Sequence, residues 1–313
     1  MKKKIVLVSF LLSLPFWWGV NNLEKALEEF FFWQTLGENP GIFTAQVSLD
    51  ERLRELKPIK KADAIEPELG AKAVLSVFLG EEKERVLLEK NAQTSLPLAS
   101  LTKLMTAFVV MENYDLSKRI TVSQEAVKQE ESFGGLTAGQ EFSVEYLLYP
   151  MLIESSNDAA FALAADYDGM SHSKFVELMN WEAEKMGLNN TKFFNVTGLD
   201  PEESGTRLNY SSGQDLILLT KKLLSHPLIW QILATEKYTL LGPELTNTNE
   251  LLGGMPGIIG GKTGYTEEAL GCMLLVVKAP KNQGEIINVI LGSPSRFLDM
   301  EKLVNWVEVA YNW

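Results

Sequence analysis

Apolar residues change their spacing along the chain, and each spacing predicts a different kind of element. Two short apolar runs, AKAVLSVFL and RVLLEKN, flank the polar stretch GEEKE and predict a β-hairpin. From Ser100 to about Leu233 the apolar residues recur at helical spacing. Near the C-terminus, GCMLLVVKAP and GEIINVILGS predict two buried strands, and SRFLDMEKLVNWVEVAYNW predicts a last helix.

Strands at both ends of this region, with helices between them, favour an α+β fold class. We expect an antiparallel β-sheet that takes strands from both ends of the domain, is covered by helices and carries a largely helical insert. The domain is expected over residues 71–313. Before it, residues 37–70 are interrupted by Pro and Gly, carry mixed charges and show no sustained periodicity, which is typical of a linker.

Residues 1–36 are expected to attach the chain to a membrane. Three lysines precede an uncharged, mostly apolar run from Ile5 to Val20, as in a secretory signal or a signal anchor. The region after Phe16 offers no convincing cleavage site, which favours an uncleaved anchor over a cleaved signal and secretion. The lysines would lie inside, and the rest of the chain at the extracytoplasmic face of the plasma membrane. Residues 23–31 have helical apolar spacing and predict either an amphipathic juxtamembrane helix or a helix packed on the domain.

Composition narrows the class of protein. The chain has 313 residues, of which 46% are hydrophobic, enough for a globular core. Its net charge of -12 and the lack of a basic stripe argue against a nucleic-acid partner. Cys272 is the single cysteine, so no internal disulfide forms, and its apolar surroundings predict a buried structural thiol. His172 and His226 are the only histidines and lack the spacing of zinc ligands, so no metal or other cofactor is expected.

The stretch SLPLASLTKLMTAF places Ser100 and Lys103 three residues apart at the start of a predicted helix. This spacing puts both side chains on one face of the helix, with the serine at its N-terminus. The helix dipole favours negative charge that develops there, and a lysine among apolar neighbours binds its proton less tightly. Lys103 could therefore accept the proton of a nucleophilic Ser100, although a capping serine beside a surface lysine would give the same spacing.

Two further motifs follow this one along the chain. MLIESSNDAAFALAADY carries Ser155 and Asn157 at a loop–helix junction. GIIGGKTGYTEEALGC carries Lys262, Thr263 and Gly264 leading into a strand, where Gly264 would let a ligand backbone approach closely. Each motif alone is explained by a helix cap or a turn. Together the three are the motif set of the penicillin-recognising serine hydrolases.

From about Ala71 to Trp313 the sequence resembles the low-molecular-mass penicillin-binding proteins, a family of serine-type D-alanyl-D-alanine carboxypeptidases with a β-lactamase-like fold. The resemblance covers PLASLTKLMTAFVV, LTAGQEFSVEYLLYPMLIESSNDAA, FFNVTGLD, NTNELL and GGKTGYTEEALGC. Ser156 stands where relatives often have glycine, and Thr197 where many have histidine. We expect the C-terminal β-rich domain and membrane-binding helix of some members to be missing, so that the N-terminal segment supplies the anchor.

The resemblance implies a catalytic role for four residues. Ser100 would attack the carbonyl between two D-alanines of a peptidoglycan stem peptide and form an acyl-enzyme, with Lys103 as general base. Ser155 and Lys262 would relay a proton to the leaving amine. Water would complete the cycle. A β-lactam would mimic the substrate and acylate Ser100 in the same way.

The resemblance also implies how the substrate is held. Asn157 would form a hydrogen bond with the peptide, and Thr263 would bind its terminal carboxylate. The backbone amides of Ser100 and Tyr265 would form the oxyanion hole. Gly264, next to both Thr263 and Tyr265, completes the predicted substrate-binding set.

Three alternative functions are weighed against the carboxypeptidase. A DD-endopeptidase that cuts peptidoglycan cross-links has the same motifs, and the sequence does not separate the two. A class A β-lactamase needs a glutamate in an E-x-x-x-N arrangement, and EESGTRLN, from Glu202 to Asn209, lacks that spacing. A non-catalytic peptidoglycan-binding relative would be expected to have lost a motif residue, and none is lost.

Overall fold

The computed structural model describes Leu27, Gln34 and residues 57–81, 83–130, 134–201 and 207–313. The predicted signal anchor and juxtamembrane helix over residues 1–36 therefore lie outside the described residues, apart from Leu27 and Gln34. The chain forms two compact units, Met1–Ile59 and Lys60–Trp313. The fold and the site described below belong to the second unit.

The secondary structure consists of short and long strands with a block of helices between them. The strands are β1 (Ile59–Lys60), β2 (Ala73–Leu79), β3 (Glu84–Lys90), β4 (Leu96–Pro97), β5 (Arg119–Thr121), β6 (Glu141–Ser143), β7 (Tyr210–Ser211), β8 (Lys237–Tyr238), β9 (Leu245–Thr246), β10 (Ile258–Thr266), β11 (Leu270–Lys278), β12 (Glu285–Ser293) and β13 (Tyr311–Asn312). The helices are α1 (Thr102–Asn113), α2 (Val144–Ile153), α3 (Asn157–Ala165), α4 (His172–Lys185), α5 (Gly213–Leu223), α6 (Pro227–Leu233) and α7 (Arg296–Ala310).

The main sheet has five strands in the order β10-β11-β12-β2-β3, and all four pairings are antiparallel. The N-terminal hairpin β2–β3 joins the C-terminal strands through β12, with Val74 opposite Ile290. Helices α1 to α6 lie between the two groups of strands in the sequence. The α+β prediction, with strands from both ends of the domain and a helical insert, is confirmed.

The two faces of the sheet bury different partners because successive side chains of a strand point to opposite faces. Leu75 and Ile287 belong to the larger core, which the sheet shares with the helices of the insert. Val74 and Ile290 belong to the smaller core, where they pack with Leu303 of α7. The C-terminal helix thus covers one face, and the helical insert covers the other.

Helix α1 runs through the middle of the insert. Nine of its twelve residues are buried, over the continuous run from Thr102 to Val110. A helix that is buried on all sides belongs to the interior of a larger domain. This position explains why a lysine in its first turn is enclosed by protein.

Residues 60–70 lie against the C-terminal helix. The indole Nε1 of Trp306 donates a hydrogen bond of 2.6 Å to the carbonyl of Ile65. The backbone amide of Gly70 donates one of 3.1 Å to Oδ1 of Asp299. These contacts fix the approach of the chain to β2.

Among the described helices, none is by itself long and apolar enough to cross a membrane. Only the strongly bent pair α5 and α6 has this length and apolarity when the two are taken together.

Cys272 is buried in β11, as predicted, and burial raises the pKa of its thiol to about 11.

Candidate active site

The candidate nucleophile lies on a tight turn that leads into α1. Residues Ala99–Leu101 form one turn of 3₁₀-helix directly before Thr102. Ala99 has a φ of 47°, in the left-handed region that side chains usually avoid. Ala99 and Leu101 are buried while Ser100 is partly exposed, so the turn presents the serine hydroxyl at the N-terminus of the helix.

Lys103 is fully buried, with 0% of its surface exposed. Its Nζ lies 3.0 Å from Ser100 Oγ, 2.6 Å from Asn157 Oδ1 and 2.7 Å from the carbonyl oxygen of Thr197. A neutral amine can donate its two hydrogens to Asn157 and Thr197 and direct its lone pair at the serine hydroxyl. After it takes a proton, the ammonium can donate to all three oxygens. The surroundings therefore suit both states of a general base.

The loop between α2 and α3 brings the second motif to the same place. Ser155 has a φ of 65°, and Ser156 caps α3 by accepting a hydrogen bond from Ala159 N. The cap holds Asn157 at the first position of the helix, with its Oδ1 on Lys103. Its Nδ2 donates a hydrogen bond of 2.8 Å to the carbonyl of Glu130. Asn157 thus links the lysine to the segment around Glu130.

The third motif was predicted to lead into a strand, but it lies within strand β10. Gly260 and Gly261 do not form a turn, because β10 pairs with β11 along its length and α6 packs on it. Gly257, with a φ of 80°, lies in the turn directly before β10. A Cβ on Gly260 would lie 2.9 Å from the ring of Trp230 in α6. The absence of side chains at this position therefore permits close helix–strand packing.

Lys262 is buried in β10 with 1% of its surface exposed. Its Nζ donates hydrogen bonds of 2.9 Å each to Ser155 Oγ and to the carbonyl oxygen of Thr263. Burial lowers the pKa of Lys262 from 10.5 to about 7, and the positive charge of Arg296 acts in the same direction. The protonated amine is therefore a stronger acid than that of an exposed lysine.

The end of β10 passes close to the nucleophile turn. A Cβ on Gly264 would lie 2.9 Å from the backbone nitrogen of Ser100, so a side chain cannot be accommodated at this position. Thr263 Oγ1 lies 2.7 Å from Thr248 Oγ1, and either hydroxyl can donate. Tyr265 is 56% exposed, with the Arg296 guanidinium 5.9 Å from its ring centroid.

The structure brings the three motifs together through direct contacts of Lys103 with Ser100 and Asn157, and of Lys262 with Ser155. The remaining predicted residues, Thr263, Gly264 and Tyr265, follow Lys262 along the same strand. In the described part of the chain no group of three His, Cys, Asp or Glu side chains could hold a metal ion.

Several contributors to the site were not found from the sequence. The carbonyl oxygens of Thr197 and Glu130 are main-chain groups, and no residue type marks them. The Thr197 side chain turns away from Lys103 and donates to Asn195 Oδ1 at 3.2 Å. The departure from histidine at this position therefore leaves the contact to Lys103 in place. Thr248 belongs to the stretch NTNELL, whose resemblance to the family was noted without a role for its hydroxyl.

A family model described as D-alanyl-D-alanine carboxypeptidase, Peptidase S11, matches residues 60–295. The chain belongs to this family. The family that the three motifs indicated is thereby confirmed, and the match spans all eight predicted site residues.

Individual members of the family show how far the similarity extends. The chain is 36% identical over 236 residues to D-alanyl-D-alanine carboxypeptidase DacF of Bacillus subtilis (strain 168), over 72% of this chain and 59% of that protein. It is 31% identical over 266 residues to a D-alanyl-D-alanine endopeptidase of Pseudomonas aeruginosa, over 81% of this chain and 82% of that protein. The chain thus spans less than two thirds of the length of the Bacillus protein.

A solved structure of the family has the same fold. Penicillin-binding protein D2 from Listeria monocytogenes, in its cefotaxime-bound form, matches with a TM-score of 0.64 and 31% sequence identity. The match covers 78% of this chain and 99% of the Listeria chain.

Proposed function

We propose that the protein is a serine-type D-Ala-D-Ala carboxypeptidase that removes the terminal D-alanine from peptidoglycan stem peptides. The observation that carries this proposal is the contact of 3.0 Å between Lys103 Nζ and Ser100 Oγ, made by a lysine that is enclosed by protein. A serine with an adjacent buried amine, in a chain of this family, has the chemistry of an activated nucleophile.

Acylation begins at the serine hydroxyl. Ser100 Oγ attacks the carbonyl carbon of the penultimate D-alanine, and its proton passes to Lys103 Nζ. The backbone amides of Ser100 and Tyr265 stabilise the negative charge on the carbonyl oxygen. The bond from the carbonyl carbon to the terminal D-alanine nitrogen then breaks, which leaves an ester on Ser100.

The leaving amine takes its proton from the second lysine. Lys262 in its protonated form donates to Ser155 Oγ, which passes a proton to the departing nitrogen. A pKa of about 7 makes Lys262 a far stronger acid than an ordinary lysine. Water then hydrolyses the ester and restores Ser100.

Substrate binding uses the side of the site formed by β10 and α3. Thr263 donates its hydroxyl to the terminal carboxylate of the peptide and accepts from Thr248, which orients the hydroxyl proton. Asn157 Nδ2 donates one hydrogen to the carbonyl of Glu130, and its second hydrogen can be donated to the peptide. Gly264 keeps the strand next to the nucleophile.

A β-lactam is the expected inhibitor. Structures of the Listeria protein have cefotaxime and ampicillin bound, which supports the same reactivity here. Penicillin should acylate Ser100 and leave a long-lived adduct, and a Ser100→Ala protein should not be labelled. Undiminished labelling of that variant in intact-mass analysis would refute the choice of nucleophile, whereas rapid release of hydrolysed drug would favour a β-lactamase.

A second candidate is a DD-endopeptidase, because the Pseudomonas endopeptidase matches a larger share of this chain than the Bacillus carboxypeptidase does. The full chain should be incubated with a stem pentapeptide and, separately, with a cross-linked stem-peptide dimer. Mass analysis should show loss of one D-alanine from the pentapeptide. Cleavage of the dimer alone would establish the endopeptidase instead.

The substrate lies outside the plasma membrane, so we propose an extracytoplasmic location with the N-terminal segment as a membrane anchor. The protein should keep Met1 to Val20 and sediment with membranes. Removal of residues 1–36 should release a soluble, active protein. Recovery of the native protein with an N-terminus near Asn21 would instead indicate secretion without an anchor.

A further inference from the structure

Asn209 is a buried residue that none of the motif-based roles uses. Its side chain is enclosed, with 4% of the residue surface exposed. Its Oδ1 accepts hydrogen bonds from the backbone amides of Phe194 at 2.7 Å and Asn195 at 3.1 Å. Its Nδ2 donates to Thr102 Oγ1 at 2.9 Å and to the carbonyl of Asn195 at 2.9 Å. A carboxamide is required here, because both an acceptor and two donor hydrogens are used.

The loop that Asn209 holds is the one that supplies an oxygen to Lys103. Oδ1 of Asn195 accepts hydrogen bonds from Thr197 N at 3.2 Å and from Gly198 N at 2.7 Å, which closes the turn around Thr197. The carbonyl of Thr197 accepts the hydrogen bond of 2.7 Å from Lys103 Nζ. The path from Asn209 to the lysine therefore has only Asn195 and Thr197 as intermediates.

Asn209 also contacts the nucleophile turn on both sides of Ser100. Its backbone carbonyl accepts a hydrogen bond of 3.0 Å from Leu98 N, and its side chain donates to Thr102. The loop and the turn touch directly, since a Cβ on Gly198 would lie 1.9 Å from the carbonyl oxygen of Ala99. Asn209 thus fixes the position of the Thr197 carbonyl, which accepts a hydrogen bond from Lys103, relative to Ser100.

We propose that Asn209 is a positioning residue for acylation. Its carboxamide holds the Thr197 carbonyl and the nucleophile turn in one frame, so that Lys103 directs its lone pair at Ser100 Oγ. The inference rests on the proposed acyl-enzyme chemistry of Ser100. It assigns Asn209 no contact with the substrate, and its effect is on the rate of acylation rather than on binding.

The test measures acylation of the full chain by a fluorescent penicillin over a range of concentrations. Three quantities are separated: the rate constant at saturating drug, the half-saturating concentration and the final fraction labelled. In Asn209→Ala the rate constant should fall about 10²-fold, the size expected for a misplacement of about 1 Å in a reacting group. The half-saturating concentration and the final fraction should stay near the wild-type values.

Asn180→Ala is the matched control. The Asn180 carboxamide in α4 also holds main chain next to this loop, because Oδ1 accepts from Phe193 N at 2.9 Å and Nδ2 donates to the Phe193 carbonyl at 2.8 Å. The structure gives it no hydrogen bond to Thr102, Asn195 or the nucleophile turn. Its loss should lower thermal stability, as expected for lost buried hydrogen bonds, and leave the acylation rate constant within about twofold of wild type.

Thr102→Val is a second variant, which removes only the hydroxyl that accepts from Asn209 Nδ2. It should slow acylation by about 5-fold with full final labelling, and it keeps the inference testable if Asn209→Ala does not fold. Equal rate constants in Asn209→Ala and Asn180→Ala would overturn the inference. So would a loss confined to the labelled fraction, since that indicates unfolded protein. Failure of the wild-type chain to react would refute the proposed function instead.

Discussion

The surroundings of Lys103 and of Lys262 differ although both lysines are buried beside a serine. Three oxygen atoms lie within 3.0 Å of Lys103 Nζ, and a carboxylate is nearby. Burial raises the pKa of that carboxylate, Asp158; its hydrogen bonds with Ser156 and Ala159 oppose the rise, and the charge of a protonated Lys103 does so to a smaller extent. Around Lys262 the influential charge is the cation of Arg296, which together with burial lowers the pKa of the amine.

The difference between these two regions matches the two proton transfers of the proposed reaction. The Lys103 region has acceptors for every hydrogen of an ammonium, so it can receive a proton from Ser100 without leaving a buried donor unpaired. The Lys262 region disfavours the ammonium, so it releases a proton readily. In the proposed reaction Lys103 accepts a proton and Lys262 donates one.

The largest expected effect is the loss of the accepting lysine. In Lys103→Ala the acylation rate constant for penicillin should fall by roughly 10²- to 10⁴-fold, the range for a lost general base, while the half-saturating concentration changes little. Stopped-flow labelling measures both. An acylation rate within about tenfold of wild type would show that another group takes the serine proton.

A smaller effect is expected where β10 meets the carboxylate of the substrate. Thr263→Val keeps the shape and removes the hydroxyl, and a lost hydrogen bond to a charged group costs on the order of 1.5 to 3 kcal/mol, or roughly 10- to 150-fold in kcat/KM. The loss should affect a D-alanyl-D-alanine peptide and spare its C-terminal amide.

Thr248→Val is the control for that measurement. It removes only the partner that lies 2.7 Å from Thr263 Oγ1 and should have a smaller effect on the same substrate. Equal weakening of the acid and the amide by Thr263→Val would contradict the carboxylate assignment, and with it the preference for exopeptidase activity.

The two lysines should respond in opposite directions when each is replaced by methionine and unfolding is measured. Lys103→Met leaves the buried oxygens of Asn157 and Thr197 without a donor, which should destabilise the protein by about 1 to 3 kcal/mol. Lys262→Met also removes the donor to Ser155 Oγ and to the Thr263 carbonyl, but the cost of charging the buried amine is the larger effect. The melting temperature near neutral pH should therefore rise by a few degrees, roughly 2 to 4 °C per kcal/mol.

The pH dependence of unfolding separates the two further. Between pH 7 and 10.5 the unfolded chain binds a proton at Lys262 that the folded chain does not, so wild-type stability should rise with pH across this window. Below about pH 7 Lys262 no longer contributes to the slope of stability against pH. The Lys262→Met protein should lack this contribution at every pH. Parallel stability curves for the two proteins would show that the folded-state pKa is not depressed.

The smallest expected effect is a shift in the pH profile of activity. If Lys262 donates as an acid, kcat/KM for a peptide falls as the pH rises through about 7. Arg296→Gln removes a cation that lowers this pKa, so the alkaline limb should move to higher pH, by up to about one unit. Arg119→Gln, which loses an exposed ion pair with the Glu141 carboxylate and a hydrogen bond to the Glu141 carbonyl, should leave the limb in place.

Much of the fold followed from periodicity, which is strong where elements are long. The hairpin β2–β3, the strands β11 and β12 and helix α7 were predicted because each of these elements spans seven residues or more, which is long enough to show an apolar pattern. Two-residue strands such as Leu96–Pro97 and Tyr210–Ser211 carry no pattern. Their pairing is a consequence of tertiary contacts that bring the nucleophile turn to Asn209.

The motifs identified the side chains of the candidate site, but the sequence does not identify its main-chain contributors. Lys103, Ser155 and Lys262 are recognisable because their chemistry resides in the side chain. The carbonyls of Thr197 and Glu130 could be supplied by any residue, so only the folded backbone identifies them. Their places depend on hydrogen bonds between segments that are far apart in the sequence.

The pairing of β2 with β12 has a consequence for how the protein forms. Val74 cannot meet Ile290 until almost the whole chain has been synthesised, and contacts of such long separation slow folding. A nascent chain that ends before β12 has the apolar hairpin β2–β3 but no central strand to cover its edge, and such edges invite aggregation. Fragments produced by interrupted synthesis therefore contain Ser100 and Lys103 but should hydrolyse nothing, and their removal falls to chaperones and proteases. The proposed activity is therefore expected only after β12 has joined the sheet.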